Sequence, residues 1–123
     1  MSRGEKRAAA LRELAREFDI TPGDHSTTAG EDLAEYLTEP EDLGPWVAVT
    51  TAQGDTGYAV NYLYPCETRA AAQMRSASYV RNDIFPEYPV CVVNLDTGRG
   101  WSAEIGVVSW SKAQWPGVAG AAQ

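Results

Sequence analysis

With 123 residues, 44% of them hydrophobic, the chain has the material of one domain and one core, which removes roughly two thirds of its unfolded surface from water. A formal net charge of −7 disfavours nucleic acid as a partner, and two cysteines outside any Cys-x-x-Cys pair exclude a disulfide framework. No apolar run approaches the ~20 residues that span a bilayer, and the start, Met1 to Arg7, is not followed by the apolar segment of a secretory signal, so a cytoplasmic protein is expected.

The charge is segregated along the chain. Residues 1–16 carry Arg3, Lys6, Arg7, Arg12 and Arg16 against Glu5 and Glu13, whereas residues 17–68 hold no Lys or Arg and eleven acids. The rest is near balance. A field of this kind steers cationic partners. The preference for Arg over Lys and the abundance of Ala fit a GC-rich genome.

A first helix is expected from Gly4 to Phe18, because Leu11, Leu14, Ala15 and Phe18 recur at i, i+3, i+4 and i+7. Asp19 and then Pro22-Gly23 end it. After a polar loop over residues 21–28, Thr28-Ala29-Gly30-Glu31 fits a capping box, and Leu33, Tyr36 and Leu37 supply a narrow apolar stripe for a second helix. Asp32 and Glu35 suit its N-terminal half, where the dipole is positive. The helix stops by Thr38, since Pro40 and the linker Glu41 to Pro45 do not continue it.

From Trp46 to Trp110 the sequence resembles a loose duplication, with two hairpin-like halves about an Ala-rich helix. Trp46–Thr51 and Tyr58–Tyr64 flank a turn at Gly54-Asp55-Thr56-Gly57, and Tyr58, Val60, Tyr62 and Tyr64 share one face. Pro65 is expected to end this strand. The helix, Glu67 to Val80, is expected to bury Ala70, Ala71, Met74, Ala77 and Ser78, with Arg69, Arg75 and Ser76 pointing away. Ile84 and Phe85 of the next connection are expected to pack on the core. Pro89–Val93 then leads through the turn Asp96-Thr97-Gly98 to a returning strand over Trp101–Val108. The predicted fold class is α+β: two N-terminal helices, then a ββαββ unit forming an antiparallel sheet with the helices packed on one face. The whole of 1–123 forms one domain, with a helical, acidic part at 1–44, the core at 45–110 and a partly frayed tail at 111–123, where Trp115-Pro116 docks.

Several motifs invite a chemical reading. Asp-Thr-Gly occurs at Asp55 and again at Asp96, and such carboxylates form the proton-sharing dyad of aspartic proteases. The residues that follow are Tyr58 and Arg99 where that family has a small one, and too little chain separates the motifs for two lobes. Asp and Gly in tight hairpin turns are the simpler reading. Asp24-His25-Ser26 holds the residue types of a hydrolase triad, but neighbours in one loop do not form one. Glu31, Glu35 and Asp24 offer oxygen ligands for a hard cation; carboxylates on an exposed helix are the ordinary case, and no metal or cofactor is expected. Cys66, placed just before a helix N-terminus, is open to a lowered pKa, while Cys91 reads as a buried apolar residue.

Residues 14–21 resemble the first helix and turn of a helix-turn-helix. Asp19 stands where Gly is usual, Pro22-Gly23 interrupts the recognition helix, and that helix presents Glu31, Asp32 and Glu35 to a groove lined with phosphates. The aromatics Trp46, Tyr58, Tyr62, Tyr64 and Trp101 suit a half-buried sheet or a base-stacking platform, and four Trp leave room for one exposed anchor at a protein interface.

Thr68-Arg69-Ala70-Ala71-Ala72, followed by Pro89 to Gly98, resembles small uncharacterised actinobacterial and actinophage accessory proteins, in which an Ala-rich helix precedes a strand ending in an Asp-Gly turn. The resemblance covers less than half the chain; it implies a phage or mobile-element context and brings no catalytic residues. The expected function is a small non-enzymatic accessory or regulatory protein that binds a protein partner with a basic surface through Glu31, Asp32, Glu35, Glu39, Glu41 and Asp42. The alternative is a DNA-binding regulator with phosphate contacts from Arg7, Arg12 and Arg16.

Overall fold

A computed structural model describes residues 1–53, 59–78, 88–102 and 109–110. In chain order these form α1 (Arg3–Glu17), α2 (Thr28–Tyr36), a 3-10 turn (Pro40–Asp42), β1 (Trp46–Gln53), β2 (Ala59–Cys66), α3 (Arg69–Ser78), β3 (Tyr88–Asn94), β4 (Gly100–Ser102) and β5 (Ser109–Trp110). The strands make one antiparallel sheet in the order β2-β1-β3-β4-β5, of which β2, β1 and β3 are the long members. The protein is α+β.

The helix α1 begins with a capping box: the Ser2 hydroxyl accepts from the Glu5 N–H and the Glu5 carboxylate accepts from the Ser2 N–H. It ends in a Schellman motif. The Ile20 N–H reaches the Ala15 carbonyl at 2.8 Å and the Asp19 N–H reaches that of Arg16, with Asp19 left-handed at φ 58°. Its expected stripe is buried, with Leu11, Leu14 and Ala15 fully enclosed and Ile20 folded under the helix end. Each fully buried leucine contributes roughly 1.5–3 kcal/mol of burial free energy.

The helix α2 starts one residue earlier than the sequence suggests. Thr27, not Thr28, is the cap, its hydroxyl accepting from the Gly30 N–H at 3.0 Å. The residue three positions on is therefore Gly30, and Glu31 closes no capping box. Tight packing selects that frame: a Cβ on Gly30 would lie 2.6 Å from the Thr21 carbonyl oxygen. Two threonines in succession leave the sequence ambiguous, and contact with the preceding loop resolves it.

The long strands β1 and β3 lie side by side, and each has its own hairpin partner on its other side. On one face Val47, Val49, Leu63, Cys91 and Val93 meet Leu11, Leu14, Phe18 and Leu33 of the N-terminal helices. On the other, Ala48 and Val92 meet Ala72 of α3, bordered by Trp46, Tyr64 and Cys66. The expectation of helices on one face is thus corrected. Period-2 alternation in β1 and β3 is apolar on both sides, so the sheet needs two covers.

Three further expectations change. Pro65 lies inside β2, opposite Val47, because β2 is an edge strand where a missing N–H breaks no ladder bond. In α3 the buried side chains are Ala72 and Ser76, with Arg69 and Arg75 half-buried, while Ala70, Ala71 and Met74 are exposed, Met74 at 74%. An Ala-rich helix has almost no apolar gradient to fix its rotation, so the sheet surface chooses the face. The return strand expected over Trp101–Val108 stops at Ser102, and Ser109–Trp110 pairs back on β4. Asp55 to Gly57, Ile84, Phe85 and the tail from Ser111 lie outside the described residues, as do the side chains of Trp101, Ala77 and Ser78.

Candidate functional site

The acidic segment takes its shape from α2 and the 3-10 turn. Glu31, Glu35, Glu39, Glu41 and Asp42 are exposed and Asp32 is half-exposed. The apolar positions between them, Leu33 and Leu43, are buried, so the carboxylates have no inward choice. Among the described residues none of the six forms an ion pair. The 3-10 turn is held at its position by α1: Gly4 is buried so closely that a Cβ there would sit 2.6 Å from the Pro40 carbonyl oxygen, and the Ser2 hydroxyl donates to Glu41. Negative charge is therefore displayed on a fixed frame and not on a loose linker.

The basic residues divide. Arg12 and Arg16 are exposed on α1. Arg7 is engaged within the fold: its Nε and Nη2 donate to the two Asp96 oxygens at 2.9 Å, and its Nη1 donates to the Leu43 carbonyl at 3.0 Å. This fork ties α1 to the β3–β4 turn and to the end of the acidic segment. Asp96 is held below the usual carboxylate range by the Arg7 hydrogen bonds, and the Arg7 guanidinium is correspondingly raised. Of the three arginines offered as phosphate contacts in the alternative reading, Arg7 is the one tied into the fold. The sequence signal was absent, because the two partners are far apart in the chain.

The Asp96-Thr97-Gly98 motif is a turn. The Asn94 side-chain oxygen accepts from the N–H groups of Asp96 and Thr97, Gly98 is left-handed at φ 73°, and the Asp96 carboxylate belongs to Arg7. Its expected twin at Asp55 is outside the described residues. The Asp24-His25-Ser26 loop is likewise local: the Asp24 carboxylate accepts from the Ser26 N–H and hydroxyl, which lowers its pKa. The serine hydroxyl thus points to the carboxylate, without a base in between. Among the described residues no three His, Cys, Asp or Glu side chains converge as metal ligands would.

Cys66 is the last residue of β2 and not a helix cap, a role taken by Thr68, whose hydroxyl accepts from the Ala71 N–H. Its thiol donates to the Tyr64 carbonyl, and burial pushes its pKa up, opposite to the sequence expectation. Burial also raises the fully enclosed Cys91. Tyr62 and Tyr64 stack at 6.3 Å on the α3 side of the sheet, and the Arg75 guanidinium lies 4.2 Å from the Tyr64 ring centroid. A cation over an aromatic face is a packing contact here, which the sequence reading missed by turning Arg75 outward.

The helix-turn-helix resemblance holds only for its turn. Asp19 adopts the left-handed geometry that glycine usually supplies, but residues 18–27 separate α1 from α2, against the about three or four residues of that motif. No helix among the described residues is long and apolar enough to cross a membrane. No protein-family model, curated protein or solved structure matches the chain.

Proposed function

We propose that this chain is a small, cytoplasmic accessory or regulatory protein of a phage or mobile element, which acts by binding rather than by catalysis. Its ligand is a protein partner with a basic surface, engaged by Glu31, Asp32, Glu35, Glu39, Glu41 and Asp42. The observation that carries this reading is the display of carboxylates on α2 and the 3-10 turn, none of them neutralised by an ion pair among the described residues. Such a surface steers partners that present Lys and Arg and raises the rate of encounter.

The test is affinity capture from the source organism with two baits, the natural chain and the variant Glu31→Lys, Asp32→Lys, Glu35→Lys. A basic protein held by the first, released by salt and absent from the second is the expected result. Salt-sensitive binding to duplex DNA that vanishes on neutralising Arg12 and Arg16 would overturn the reading in favour of a DNA-binding regulator. Arg7 is left out of that variant because it holds the fold.

A further inference from the structure

We draw no further inference here: the strongest candidate, the cavity of about 300 Å³ between the first turns of α1 and the β3–β4 turn, lined by Arg3, Lys6, Leu95 and Asp96, sets two exposed cations beside the Asp96 carboxylate, and nothing in the structure shows what covers it.

Discussion

The Arg7–Asp96 fork predicts a measurable and pH-dependent share of stability. Arg7→Ala removes two bonds to a carboxylate that is 42% exposed, worth about 0.5–1 kcal/mol after screening by solvent. It also removes a charged donor from the Leu43 carbonyl and the packing of a side chain only 14% exposed, about another 1 kcal/mol. The expected loss is about 2 kcal/mol, a shift of the urea midpoint by about 1 M. Asp96→Asn keeps the turn and the shape, and its coupling to Arg7 in a double-mutant cycle is expected at about 0.5–1 kcal/mol. Because the folded pKa of Asp96 is depressed below its unfolded value, its contribution is complete above the unfolded pKa of about 3.9 and is lost as pH falls through the folded value. Arg7 stays charged throughout. Urea unfolding at pH 7 and in steps down to pH 2 is the assay, since guanidinium would screen the pair. A cycle in which the two substitutions simply add, or an acid dependence unchanged by Asp96→Asn, would refute the fork as a stabilising unit.

Gly4→Ala should destabilise although alanine is the better helix former by about 1 kcal/mol: its Cβ would meet the backbone of Pro40 and Glu41 at 2.6 and 2.7 Å, and overpacking of this kind costs about 1–3 kcal/mol. Thermal unfolding with a lower midpoint is the expected outcome, and a higher one would show that the acidic segment is not docked on α1. Asp19→Gly should stabilise by about 0.5–1 kcal/mol, since it relieves a left-handed residue and removes a negative charge from a helix C-terminus, and a loss of stability in urea would count against the Schellman geometry.

How much was legible depended on the range of the interaction. The stripe Leu11, Leu14, Ala15 and Phe18, the antiparallel pairing of Trp46–Thr51 with the strand that follows it, and the turn at Asp96 to Gly98 were all readable. Each is set by residues within a few positions of one another, through side-chain period or turn geometry. The exposure of the six acids followed from their chemistry, because burying unpaired carboxylates is too costly. Local signals also misled where they were weak. Thr27 and Thr28 compete for one cap, and the alanines of α3 leave its rotation undetermined until Ala48 and Val92 provide the surface for Ala72.

By itself the sequence determined the three helices and the first hairpin, the apolar faces of α1 and α2 and the uneven distribution of charge, since these depend on backbone preference and on hydration residue by residue. Only the tertiary structure decided that β3 lies beside β1, that the sheet is covered on both faces and that Arg7 belongs to Asp96. Those are pairings between segments far apart in the chain. Their free energy depends on which surfaces meet, a quantity that no single stretch of sequence contains.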